Sequence, residues 1–257
     1  MLVAIPAAAF AAVIIWQGGW IFAAGIGALA LVCVHELSVM LARARPVRLA
    51  AMLAVLGLTA AGTAGDERQV MLALVASVPV IFALAVAAPV RERITASMSA
   101  TILIVVWIGL GVAHAALLRG VDHGGALVLM VLLGTFFGDS AAYFGGRWFG
   151  RRKLAPRISP NKTVEGLLCG IAVGTLVVWY WSRTYSGNWI SGTDGLLLGL
   201  AVVLAAPVGD LFESLIKRDM GTKDTGTLFG AHGGALDRVD AALFALVAGY
   251  YVWLAVG

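Results

Sequence analysis

The sequence predicts an all-α, polytopic integral membrane protein with about nine transmembrane helices, and three observations carry that expectation. Hydrophobic residues make up 61% of the chain and charged residues only 12%, against about 25% charge in a soluble domain. Mean hydropathy is +0.94. Apolar runs of roughly the ~20 residues needed to cross a ~30 Å hydrocarbon core recur along the whole 257-residue length.

The runs cover roughly 2–16, 19–41, 47–64, 70–90, 98–118, 124–144, 166–182, 195–213 and 239–256. The first lacks a basic leading region and a small-residue cleavage site, so it reads as a helix, an uncleaved signal-like segment being the alternative, with Gly18 and Gly19 as its hinge to the second. In the second run His35-Glu36 opens like a zinc-protease HExxH, but position 39 is Val and the motif lapses. Cys33 and Cys169 both fall inside apolar runs, where cysteine acts as small hydrophobic filler and implies no disulfide framework. The connections Gly62 to Gln69, Arg119 to Gly125 and Arg183 to Asp194 read as plain turns. Residues 1–257 form one transmembrane domain on this pattern, with N-terminal helices over about 1–120 and a motif-bearing half over about 124–257.

The net charge of +4 raises the question of a nucleic-acid partner, and its distribution answers against one. With alternating helices and a cytoplasmic N-terminus, fifteen of the 18 basic residues fall on one side. Arg68, Arg119 and Arg183 fall on the other. That asymmetry is the positive-inside rule, so the basicity is topology, and the two charged loops face the cytoplasm.

Those loops hold the polar chemistry. The first is GDSAAYFGGRWFGRRKLAPRISPNKTVEG, from Gly138 to Gly166; the second is SLIKRDMGTKDTGTLFGAHGGALDRVD, from Ser214 to Asp240, with Gly209, Asp210 and Glu213 just before it. Asp139, Asp210 and Glu213 each close an apolar run, where a carboxylate is costly. Asp210, Glu213 and Lys217 share one helix face by spacing, and Asp237 and Asp240 repeat the three-residue interval. Two readings stand side by side. Interfacial salt bridges would anchor the helix ends, or the carboxylates would present oxygen ligands to one or two hard divalent cations. The glycines from Gly221 to Gly234 permit close backbone approach, and Lys217, Arg218, Lys223 and Arg238 would clamp phosphate. A metal-bound polyphosphate fits that mixture. In the first loop, Gly145, Gly146 and Gly150 with Arg147, Arg151, Arg152 and Lys153 could cradle anions or follow the positive-inside rule alone. Ser159-Pro160-Asn161-Lys162-Thr163 precedes a helix N-terminus suited to phosphate, and Glu165 favours that helix's dipole. No Walker A loop is formed, because Arg151 and Arg152 stand where Lys and Ser/Thr are required.

Ser214, Lys217-Arg218, Lys223-Asp224, Gly226, Phe229-Gly230, His232-Gly233-Gly234, Asp237-Arg238 and Asp240 resemble the C-terminal signature of the phosphatidate cytidylyltransferases, or CDP-diglyceride synthetases. Gly209-Asp210, Glu213, Asp139 to Tyr143, Ser159 to Thr163 and Glu165-Gly166 are similar to the same family. The family commonly has Pro-Gly where Gly230-Ala231 stands, a larger aliphatic at Ala235 and a basic residue at Asn161.

The resemblance implies that CTP and phosphatidic acid give CDP-diacylglycerol and pyrophosphate with magnesium, a second, monovalent cation being left open. It fits metal ligation by Asp210 and Asp237, with Glu213, Asp240 and Asp139 either as further ligands or as side chains just behind them. Catalytic roles fall to Lys217, Arg218, Lys223, Asp224, His232 and Arg238. Substrate binding falls to Ser159, Asn161, Lys162, Thr163, Ser214, Gly233 and Gly234. The setting implied is a bacterial inner membrane with the active site facing the cytoplasm, substrate and membrane lipids as partners, and a homodimer left open. An ion-coupled transporter, or a cytidylyltransferase for another lipid phosphate, remains the alternative. A CDP-alcohol phosphotransferase is set aside, since Asp194-Gly195 is followed only by leucines.

Overall fold

The computed structural model describes residues 4–87, 93–185, 187, 189–226 and 233–256. Among the described residues the helices are α1 (Ala4–Gln17), α2 (Gly19–Met40), α3 (Arg48–Ala64), α4 (Glu67–Ala87), α5 (Ile94–Gly120), α6 (Gly124–Phe149), α7 (Val164–Thr184), α8 (Gly192–Asp219) and α9 (Leu236–Val256). Seven of them are long and apolar enough to cross a membrane. The other two, α1 and α3, have 14 and 17 residues. The protein is thus an all-α, polytopic membrane protein, with a short π-helical segment, Val105–Gly109, inside α5.

One element was not legible as structure in the sequence. Between α6 and α7 the chain forms an antiparallel hairpin of β1 (Lys153–Ala155) and β2 (Ser159–Thr163), pairing Lys153 with Thr163 and Ala155 with Ser159. Strands this short carry no measurable alternation of apolar and polar residues, which is the signal a strand needs.

By packing, the chain divides into two compact units. The first comprises residues 1–122 together with 222–238. Its core is built on Val34, Leu37, Val55, Leu58, Ile104, Ile108 and Leu118, all fully buried. Arg119 closes one end of this unit, where its guanidinium donates to the carbonyls of Ile15 and Trp16 at 2.7 and 3.2 Å. These are the terminal carbonyls that α1 leaves unbonded. The guanidinium packs against Gly18, whose φ of +68° would strain any residue that carries a side chain.

The second unit comprises residues 123–221 and 239–257. Here α6 and α7 approach backbone to backbone along a stripe of glycines at four-residue spacing. A Cβ on Gly166, Gly170 or Gly174 would stand 2.5, 2.8 or 2.7 Å from the carbonyl oxygens of Ala142, Gly138 and Gly134. Small residues are what allow such packing where lipid supplies no hydrophobic drive. The close approach sets the first charged loop against the end of α6.

Candidate functional site

Asp139 and Asp210 do not end their helices, as their apolar runs had implied. Helix α6 continues to Phe149 and α8 to Asp219, roughly three turns beyond each carboxylate. Hydropathy falls where the lipid boundary is reached, whereas helical hydrogen bonding continues until a cap intervenes. Both aspartates therefore project from rigid helix.

In the second unit the loop after α6 is shaped by α7. Glu165 accepts the main-chain N–H groups of Arg151 and Arg152 at 2.9 and 3.1 Å. Thr163 caps α7 by accepting from Gly166 N at 3.1 Å. With both ends of the hairpin fixed, Lys162 reaches across to α8, where its Nζ lies 2.5 Å from Asp210 Oδ2. Arg218 adds a second tie, donating to Ile158 O at 3.2 Å. Between these elements lies a cleft of about 540 Å³, whose polar lining is Asp139, Arg147, Asn161, Lys162, Thr163 and Asp210. Five of those six were expected site residues, and Arg147 joins them. Ser159 sits in β2 outside that lining.

Two further carboxylates of this unit, Glu213 and Asp240, are buried. Glu213 is 1% exposed and pairs with Lys217 at 2.5 Å, the i,i+4 contact their spacing predicted. Ser214 Oγ donates to Asp210 Oδ1 at 3.3 Å. Gly209 brings α8 onto α9 so closely that a Cβ there would stand 2.5 Å from Asp240 O. That approach puts the Asp240 carboxyl beside Glu213 and near Asp210. Two carboxylates are acceptor-only groups, so they meet only with a proton or a cation between them.

The donor set suits magnesium in kind. It is all oxygen, and magnesium takes one or two carboxylates plus waters and substrate phosphates rather than a complete protein cage. Among the described residues, no three histidine, cysteine or acidic side chains converge as a closed metal site. A pair completed by phosphate oxygens is the arrangement these residues fit.

The first unit holds the rest of the signature. Asp237, in the first turn of α9, reaches back: its Oδ2 accepts from Gly234 N at 2.7 Å and from both N and Oγ1 of Thr225 at 3.0 Å. Gly233, at φ +82°, lies where a Cβ would be 2.7 Å from that same oxygen. Lys223, Asp224 and Arg238 are exposed. His232, together with Phe229, Gly230 and Ala231, lies outside the described residues. Glu36, which the sequence raised only as part of a broken zinc motif, is buried against this segment, accepting from Ala235 N and Leu236 N, each at 3.0 Å. Its signal was available, since a carboxylate within an apolar run needs a partner.

The cytidylyltransferase family model matches residues 1–256. Similar curated proteins include the phosphatidate cytidylyltransferase of Haemophilus influenzae, 42% identical over 123 residues, covering 46% of this chain and 42% of that protein. That of Mycobacterium leprae is 36% identical over 161 residues, covering 62% and 50%. That of Thermotoga maritima is 39% identical over 137 residues, covering 51% and 50%. The matches span about half the length of these relatives.

Proposed function

The chain belongs to the cytidylyltransferase family, and from that premise we propose that it transfers CMP from CTP to phosphatidic acid, giving CDP-diacylglycerol and pyrophosphate. The observation that carries this reading furthest is the cleft in which Lys162, Arg147 and Asn161 stand beside Asp139 and Asp210. Cationic groups for phosphate and carboxylates for a phosphate-bound ion meet there.

A phosphomonoester with a second pKa near 6 is largely dianionic at neutral pH, so its oxygen needs no general base. That oxygen attacks the α-phosphorus of CTP; a new P–O bond forms as the bond to the β-phosphate breaks, and pyrophosphate leaves with the electron pair. The barrier is mutual repulsion and alignment. Lys162 and Arg147 would bind phosphate oxygens and so lower that repulsion, with Asn161 and Thr163 orienting the same group. Lys217 holds the Glu213 carboxylate in place. Asp210 and Asp139, the carboxylate pair of the cleft, would hold magnesium, with Glu213 and Asp240 buried behind them; when bound it supplies positive charge against the phosphate oxygens. In the other unit, Lys223 and Arg238 are exposed cations of the same signature. The basic asymmetry of the loops supports placing this chemistry on the cytoplasmic side.

Pyrophosphate release by the detergent-purified chain tests this proposal. Release should require CTP, phosphatidate and magnesium together, and should stop with EDTA or with Asp210→Asn. Release with another lipid phosphate but none with phosphatidate would move the acceptor. A monodisperse protein that neither binds CTP nor releases pyrophosphate would end the proposal.

A further inference from the structure

Glu36 is a buried carboxylate in α2 that the reaction above does not use. Its bonds leave α2 altogether: one oxygen accepts Ala235 N and the other Leu236 N, both at 3.0 Å, across some two hundred residues of sequence. Those two N–H groups are among the donors that the start of α9 leaves without intrahelical partners. Thr225 Oγ1 approaches the same carboxylate at 3.5 Å. Two signature glycines are explained by the group as well. A Cβ on Gly226 would come within 2.6 Å of Glu36 Oε1, and one on Gly234 within 2.5 Å of Oε2. The carboxylate therefore touches both ends of the segment from Thr225 to Leu236, and it does so at main chain and at glycine, where no side chain of the segment can substitute.

We propose that Glu36 is a positioning residue: a clamp from α2 that fixes the main chain at Thr225–Gly226 and at Gly234–Leu236 and thereby sets the geometry of the charged residues that flank these points, Asp224, Asp237 and Arg238. The proposal rests on the cytidylyl-transfer reading for its effect on turnover. The clamp itself stands on the contacts alone. A charged acceptor shared by two main-chain donors fixes position more firmly than a neutral one. In Glu36→Gln one of the two N–H groups faces an amide N–H, donor against donor. In Glu36→Ala both lose their acceptor, and the space refused to a Cβ at Gly226 opens.

The test combines two readouts on the full-length protein in detergent. Hydrogen exchange of the main-chain amides of Ala235 and Leu236 should accelerate roughly tenfold to a hundredfold in Glu36→Gln, with the global melting temperature and the exchange of α6 to α8 unchanged. Pyrophosphate release should fall by a similar factor. Gly226→Ala gives a second, independent arm: alone it should lose activity, while in the Glu36→Ala background it should cost little further, because the carboxylate it strikes is gone. Unchanged exchange at Ala235 and Leu236 overturns the clamp. Faster exchange with undiminished turnover, or a Gly226→Ala penalty that persists undiminished without Glu36, overturns the positioning role. If the wild-type chain shows no cytidylyl transfer, the functional reading fails separately, and the exchange experiment still decides the clamp.

Discussion

The two units satisfy their site carboxylates in opposite ways, Glu165 apart, which accepts main-chain N–H groups of its own loop. In the second, Asp210 and Glu213 are met by the ammonium groups of Lys162 and Lys217, and Asp240 by another carboxyl. In the first, Glu36 and Asp237 are met chiefly by main-chain N–H groups. An ammonium on a flexible stem can swing aside for a metal ion or a phosphate. A main-chain donor cannot leave without unfolding its segment. The proposed division is that carboxylates of the first kind serve chemistry and those of the second kind hold shape.

Four substitutions test that division. The largest effect is expected from Asp210→Asn, which keeps the volume and removes the charge from the cleft. Turnover should drop roughly a thousandfold, and the affinity for manganese, used as a spectroscopic substitute for magnesium, should drop with it, while size-exclusion behaviour stays normal. Asp237→Asn should cost roughly a hundredfold in turnover by setting an amide N–H against Gly234 or Thr225, with manganese affinity retained. Equal loss of manganese binding in both variants would collapse the division and make Asp237 a ligand too. Lys162→Met should raise the KM for CTP or phosphatidate about tenfold, since one charged contact to phosphate is lost, and should leave the melting temperature nearly unchanged. Thr225→Val removes one of three donors to Asp237 Oδ2. Its expected cost is about 1 kcal/mol, a few-fold in rate, and no change at all would mean that the hydroxyl contact does not hold the segment.

Local chemistry was legible in the sequence and distant pairing was not. The Glu213–Lys217 contact follows from four-residue spacing, and the helix after Thr163 from the apolar run that follows it. The partnership of Lys162 with Asp210, and that of Glu36 with Ala235 and Leu236, join segments with no common period. Nothing in a linear pattern reports them. The helix lengths were misjudged for a related reason: the first acidic residue after an apolar run does not end a helix, and α6 and α8 run on past theirs with their hydrogen bonding intact. Arg147 reaches the cleft on that extra length of α6.

Segment 222–238 packs with the N-terminal helices although the chain on either side of it belongs to the other unit. The protein is therefore not modular in the order of its sequence. A cut between Asp122 and His123 would separate Glu36 from Ala235 and Leu236, leaving the C-terminal fragment with two orphaned donors at the head of α9. Neither half is a transferable cassette. Exchanging N-terminal halves between homologues, or expressing the motif-bearing half alone, should yield function only when the α2 that accompanies it carries a carboxylate at the matching turn.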